Sequence, residues 1–348
     1  MSNDDSLGEH PISSSAISVV IQGPLLRKHK EGDLASRAIE SIRRHLPQAE
    51  ILISTWPNQD VAGLNVDHIL FSKEPPSFID INGNVNNISK QIVSTRRGIE
   101  AASRPYVLKF RADHALLGPE IAVIRNYPTA LPPKQPLFGK PITLTNLFIR
   151  NPLKVPMLFH LSDLVQFGCK KDMLDLWSIR LPDEKDIYLK KIPRLRILGQ
   201  FIGYTAMRRV PEQFLMLACL EKHGYTIDLP EICHTRYRLF RLWEQILTDN
   251  FLVMDWQRSG IEFPPRFHSM SYPKTTIYTE KDIAFIRSKL TSRYYALHYL
   301  KLLLNQYVLC WFNQNYLHSF TSNILFSLSP KLAYRIRSIY RSLCKLRE

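Results

Sequence analysis

The sequence predicts an α/β fold: a mainly parallel sheet flanked by helices, followed by a helical C-terminal extension. Three observations predict it. Short aliphatic and β-branched runs alternate with amphipathic stretches over the first 114 residues. The runs are continuously apolar, as expected of strands covered on both faces. Helices between such strands imply parallel neighbours joined by right-handed crossovers.

The elements follow in order. Met1–Ser15 is polar and acidic and is expected to lack regular structure. Ile17–Ile21 reads as the first buried strand and ends in the turn Gln22-Gly23-Pro24. Leu34, Ala38, Ile42 and Leu46 recur at helical spacing, so Leu34–His45 is a helix, stopped by Pro47. Glu50–Ser54 is the second buried strand, and His68–Ser72 the third. Asn86–Ala102 is helical, with Ile88, Ile92, Ile99 and Ala102 as its inner face. Tyr106–Phe110 is the fourth strand and ends in Arg111-Ala112-Asp113-His114. Residues 127–141 are proline-rich and read as an extended connector. Leu144–Ile149 is strand-like, Lys170–Trp177 helical. Glu212–His223 is a strong helix, with Pro211 at its first turn and Gly224 just beyond its end. From about Lys281 the chain reads as helices rich in aromatics. The domains expected are 1–15 without structure, 16–280 catalytic and 281–348 a basic helical region.

Composition narrows the class. The chain has 348 residues, 45% hydrophobic and 22% charged, enough for a sizeable core. Its net charge is +15, and the segment from Ile283 onward holds ten Lys or Arg against one acid, Glu348. That segment is expected to face something anionic. Five cysteines show no CxxC or zinc spacing, which fits free thiols in a reducing compartment. The N-terminus has no basic segment followed by an apolar one, so no signal peptide is expected. The longest stretch free of charged residues, Leu302–Pro330, is too rich in Asn, Gln and His to span a bilayer.

Ligands of parallel sheets bind beyond the carboxyl ends of the strands, so the turns there hold the candidate site. Lys109, Arg111 and Asp113 reach that edge on one strand. Cationic side chains hold phosphate oxygens, and an adjacent carboxylate can hold Mg²⁺ or Mn²⁺ against a departing diphosphate. An Arg–Asp ion pair without ligand is the alternative for the same residues. Asn87, Lys90 or Gln91, and Ser94 form a polar stripe on the preceding helix, placing Asn87 and Gln91 as further nucleotide contacts. Gln22 and Gly23 lie in the first strand-end turn. Trp56, after the second strand, could stack on a base or sugar, or serve the core. His114, His160 and His234 are isolated and read as structural.

Six segments in order carry a resemblance: ISVVIQGP, SIRRHLPQAEILISTW, NNISKQIVSTRRGI, YVLKFRADHAL, FHLSDLVQFG and PEQFLM. Together, over Ala16 to Leu220, they resemble the WavE-type lipopolysaccharide biosynthesis family. That family is similar in layout to glycosyltransferases of the GT-A type, with a Rossmann-like sheet that holds a nucleotide-sugar across its strand ends. The resemblance implies a glycosyltransferase of surface polysaccharide synthesis, moving a sugar from a nucleotide-sugar to a glycan or lipid-linked glycan acceptor. It puts Asp113 at the last Asp of a DxD motif, as ligand to a divalent cation. Arg111 replaces the first Asp of that motif, and its guanidinium offers a second way to hold the diphosphate. Lys90 stands where an Arg is expected.

An inverting transfer needs a carboxylate near the acceptor hydroxyl to act as base. Glu212, at a helix start, and Asp163, in a polar break between apolar runs, are the candidates. A helix-start acid and a turn-forming Asp are the structural alternatives. A nucleotidyltransferase-like enzyme is the alternative activity, disfavoured by the lack of a Gly-rich phosphate loop. A non-enzymatic protein binding anionic polymers is the other, although the N-terminal half does not look like a nucleic-acid-binding module. At the C-terminus, Ala333, Ile336, Ile339, Tyr340, Leu343 and Leu346 share one helical side, and Arg337, Arg341 and Lys345 the other. This pattern suits an anionic membrane surface, so the expected location is cytoplasmic, peripheral on the inner face of the cytoplasmic membrane.

Overall fold

A computed structural model describes residues 9–79, 85–127, 134–189, 198–268, 274–290 and 292–345, with side chains as far as residue 339. Its centre is a sheet of seven strands: β1 (Ile17–Gln22), β2 (Glu50–Thr55), β3 (His68–Phe71), β4 (Tyr106–Arg111), β5 (Ile142–Thr145), β6 (Gln166–Cys169) and β7 (Phe251–Met254). Their order is β7-β5-β6-β4-β1-β2-β3. β1 pairs in parallel with β2 and β4, β2 with β3, and β5 with β7. β6 runs antiparallel to both its neighbours.

The apolar runs lack alternation because both faces of the sheet are covered. Val20, Leu52 and Val107 pack into one core with Ile88, Ile92 and Ile99. Val19, Ile21, Ile51, Ile53, Leu108 and Phe110 pack into the other with Ala38 and Ile42. Helix α1 (Leu34–His45) covers the second face, and its start is capped by Asp33, whose side chain accepts from Ser36 N at 3.0 Å. Helix α2 (Ile88–Ala101) covers the first. It lies so close to the sheet that a Cβ added at Gly98 would sit 2.2 Å from Val20 Cγ1, which fixes where the polar start of α2 meets the strand ends.

The remaining longer helices are α3 (Lys170–Trp177), α4 (Pro211–Lys222), α5 (Tyr237–Asn250), α6 (Glu280–Lys289), α7 (Tyr295–Tyr307), α8 (Gln314–Leu328) and α9 (Pro330–Lys345). α4 is buried over Gln213–Leu220 without a break, so it is an interior helix. Its start is pinned by Gln213, whose Nε2 donates to Leu158 O at 2.9 Å and Ile232 O at 3.1 Å. Gly224, with φ +84°, follows its end as the sequence punctuation requires. The C-terminal helices share the main core: Ile283, Ile286, Tyr295 and Leu302 pack in the same cluster as β1 and α4. Buried Glu244 on α5 accepts from Tyr278 Oη at 3.0 Å and Tyr295 Oη at 2.7 Å, which fastens α7 in place.

Several expectations need correction. Residues 9–16 are ordered: Glu9–Pro11 pairs with Val123–Arg125, and Ser14–Ala16 forms a turn of 3-10 helix. Residues 1–8 lie outside the described residues. β3 is an edge strand, with Ile69 and Phe71 exposed, where a buried strand was expected. The strand expected at Leu144–Ile149 is Ile142–Thr145; the chain then turns, and Phe148 takes a left-handed φ of 70°. In the proline-rich connector, 134–140 is irregular, with Leu137 N donating to Asn250 Oδ1 at 2.6 Å; 128–133 lies outside the described residues. The four described cysteines are free thiols. Among the described residues no helix is long and apolar enough to cross a membrane.

Candidate active site

The carboxyl ends of β1, β2 and β4 open on a cleft of about 510 Å³. Of the eleven residues singled out in the sequence, ten line it: Gln22, Gly23, Trp56, Asn87, Lys90, Gln91, Arg111, Asp113, Asp163 and Glu212. Separate stretches of chain deliver them. Gly23 turns the chain out of β1 with φ +93°, a conformation that an L side chain rarely adopts. An added Cβ there would meet nothing within 4 Å, so the backbone angle alone calls for glycine. Its carbonyl accepts from Thr55 Oγ1 at 2.7 Å, tying the first two strand ends together. Trp56 leaves β2 almost fully buried, with part of its ring on the cleft. From α2, Ser94 Oγ donates to Gln22 Oε1 at 2.9 Å and Gln91 donates to Asp163. Asn87 accepts from Ser77 Oγ at 2.7 Å, and Lys90 pairs with Glu74.

Lys109 is the exception. It points the same way as Arg111, two residues along β4, but it faces Gln166 one pair inside the sheet and is fully buried. Its ammonium donates to Asp163 O and lies 5.1 Å from the Trp177 ring centroid. Burial pulls its pKa down to about 8, against the attraction of Asp163. Lys109 therefore holds the Asp163 backbone beneath the cleft and does not reach a ligand in it. Strand spacing gave the face correctly but not the depth.

Arg111 and Asp113 form the cationic wall. Arg111 Nε and Nη2 donate to the two Asp113 oxygens, each at 2.9 Å. His114 Nδ1 lies 2.7 Å from Oδ1, and Arg266 also pairs with this carboxylate. Burial alone would raise the Asp113 pKa; hydrogen bonds from His114 and Arg111 and the Arg111 charge outweigh it and hold the carboxyl well below the usual carboxylate range. Burial opposes charge on Arg111 as well, yet the Asp113 bond and charge raise its pKa. Burial lowers His114 to about 4, so its ring is neutral. Two guanidiniums against one carboxylate leave the cluster one positive charge. The residues around Asp113 do not fit a divalent cation: both oxygens are taken by cationic or N–H donors, and the two guanidiniums repel any further cation. Among the described residues no group of three His, Cys, Asp or Glu could hold a metal.

Arg266 was not legible in the sequence. It lies 153 residues from Asp113 and reaches it from the short turn Pro265–Phe267, its guanidinium 4.7 Å from the Phe267 ring centroid. Arg111 lies on the same ring at 5.6 Å.

Glu212 lines the same cleft, in the first turn of α4 behind Val210 and Pro211. Burial, and next the negative charge of Asp163, push its pKa up to about 7. His160 Nε2 lies 3.9 Å from Glu212 Oε2. The other ring nitrogen is 2.7 Å from Phe148 O, so Nδ1 carries the hydrogen and Nε2 presents a lone pair to Glu212. Burial and the charge of Arg150 lower His160 to about 3, which keeps it neutral. His160, read from the sequence as isolated, thus belongs beside the candidate base. The residue before it, Phe159, and its acceptor, Phe148, both have left-handed φ, 58° and 70°. Such strain costs on the order of 1–3 kcal/mol each and collects at functional sites.

The WavE lipopolysaccharide synthesis family model matches residues 17–341. The chain belongs to the WavE lipopolysaccharide synthesis family. The match runs well past Leu220, where the recognisable motifs end, so the C-terminal helices are part of what defines a WavE chain. No curated protein matches the chain. Family membership gives a role in lipopolysaccharide synthesis and points to an enzyme.

Proposed function

We propose that this WavE-family protein is a glycosyltransferase, GT-A-like in layout, moving a sugar from a nucleotide-sugar to a glycan or lipid-linked glycan acceptor. One observation carries the reading. The Arg111–Asp113 pair, whose carboxylate also holds Arg266, and a carboxyl with a pKa near 7, Glu212, line one cleft at the strand ends of a mainly parallel sheet. An inverting sugar transfer uses both: a positive group where the diphosphate departs and a base where the hydroxyl attacks.

In this reading the diphosphate lies against Arg111, and the base and ribose lie toward Gln22, Gly23, Trp56, Asn87 and Gln91. The acceptor hydroxyl bonds to the anomeric carbon while the bond from that carbon to the diphosphate oxygen breaks. Glu212 takes the hydroxyl proton, and the nucleoside diphosphate leaves with the bonding electrons. This single displacement inverts the anomeric centre. Asp163 orients the donor or acceptor through its bond with Gln91, and Lys109 holds it from below. The guanidiniums supply the positive charge directly, so the reading needs no divalent cation on Asp113.

The test is a thermal-shift screen of nucleoside diphosphates, followed by turnover of the matching nucleotide-sugars. Stabilisation by at least one diphosphate that Arg111→Ala abolishes is expected. No stabilisation by any of them would refute the proposal.

A further inference from the structure

Besides the residues they bury, the C-terminal helices α7 and α9 carry apolar residues that face outward. On α7, Tyr295, Leu302 and Gln306 face the body and are buried. Gln306 fixes that orientation, accepting from Thr235 Oγ1 at 2.6 Å and donating to Gly199 O at 3.2 Å. The opposite side of the helix carries Leu297, Leu300, Leu304 and Val308, all exposed. Their spacing of three or four residues makes one continuous stripe. It runs on to Phe312, which is 87% exposed.

α9 repeats the arrangement. Its inward side is Ala333, which is buried, and Arg337, whose guanidinium lies 4.3 Å from the Phe326 ring centroid and donates to Tyr204 O at 3.2 Å. The sequence pattern put Arg337 on the solvent side and Ile336 and Ile339 on a shared apolar side. In the structure the arginine packs inward. Leu332, Ile336 and Ile339 stay exposed, and Leu328 just before them is 79% exposed. Lys331 and Arg335 lie alongside, also exposed. A soluble monomer rarely shows so large an apolar surface without an interaction partner.

We propose that α7 to α9 form a docking surface for an anionic lipid bilayer, into which the protein inserts part-way without crossing. Charge complementarity selects this occupant. The segment from Ile283 onward carries ten cations against one acid, a composition that repels a second copy of itself and attracts an anionic leaflet. The apolar stripes then enter the acyl boundary while Lys301, Lys331 and Arg335 remain at headgroup level. The inference is independent of the donor chemistry proposed above.

The test is flotation of the full chain with phosphatidylethanolamine vesicles, with and without phosphatidylglycerol. Binding is expected only with phosphatidylglycerol, and it should weaken as salt rises. The double variant Lys331→Ser/Arg335→Ser should weaken binding about thirtyfold, since each cation near the surface contributes about fivefold. Ile336→Ser/Ile339→Ser should weaken it at least about tenfold even at low salt. Unchanged circular dichroism and an unchanged Tm show that these variants stay folded. Equal binding to vesicles without phosphatidylglycerol would overturn the proposal. So would a stable dimer that the isoleucine variant dissociates, with no vesicle binding by the parent chain.

Discussion

Replacing Glu212 by Gln should stabilise the protein and stop it working. Burial first, and the Asp163 charge second, push the carboxyl's pKa from an ordinary 4.5 up to about 7. A pKa raised on folding means the folded state prefers the protonated acid. Its contribution is therefore fully favourable below the unfolded value and is lost as pH rises through about 7. The gap corresponds to about 3 kcal/mol of strain carried by the ionised form at pH 8. Gln is neutral at every pH and escapes it. Urea denaturation should therefore show Glu212→Gln more stable than the parent by up to about 3 kcal/mol at pH 8 and by less than about 1 kcal/mol at pH 5. Sugar-transfer kcat should fall by roughly a hundredfold or more, with the nucleoside-diphosphate Kd little changed. The parent kcat should itself rise with pH up to about 7 and then level, since the base works only when ionised. A variant destabilised equally at both pH values would show that Glu212 is a helix-start residue in a polar setting, and the assignment as base would fall.

Three further outcomes follow from the same geometry. Arg266→Ala should raise the nucleoside-diphosphate Kd about tenfold or more by calorimetry with little change in Tm, because the side chain is half exposed and its bond is charge-assisted; an unchanged Kd would remove it from the site. Lys109→Met should lower stability by about 2–3 kcal/mol by leaving the Asp163 carbonyl without its donor; a collapse of nucleotide affinity with stability intact would return Lys109 to the diphosphate. Chelation by EDTA should change the nucleoside-diphosphate Kd by less than about threefold, because the Asp113 oxygens are already occupied; a large loss restored by Mn²⁺ would show that the cluster rearranges around a cation.

Much of the fold was legible because its signals are local. Helix α1 ends before Pro47, and α4 is bracketed by Pro211 and Gly224, so chain punctuation set both within a residue. Strands β1, β2 and β4 announced themselves as continuous apolar runs. The same signal misjudged β3, since an apolar run of four residues does not say whether a neighbour lies on one side or both. It also carried the expected strand at Leu144–Ile149 through a turn, because Leu147, Phe148 and Ile149 are apolar residues held by packing outside any strand. At the candidate site, residues in strand-end turns were found because parallel sheets put ligands there. Arg266 and His160 were missed for the opposite reason. Their partners, Asp113 and Glu212, are 153 and 52 residues away, and nothing in their immediate sequence records that.

The reversed direction of β6 has one more consequence. An antiparallel strand meets the cleft at its beginning, where its parallel neighbours meet it at their ends. Asp163 and Leu164 thus arrive at the pocket from a separate loop, 146–165, together with Phe148, and the same loop carries His160 to Glu212. On the proposed reading, the residues set around the base and ribose come from before 114, whereas Asp163 and Glu212 come from after 145, and Arg266 reaches Asp113 from that later segment as well. On the proposed reading, exchange of the later segment between relatives should change the choice of acceptor hydroxyl more than the choice of nucleotide, so a hybrid chain would draw most of each preference from a different parent.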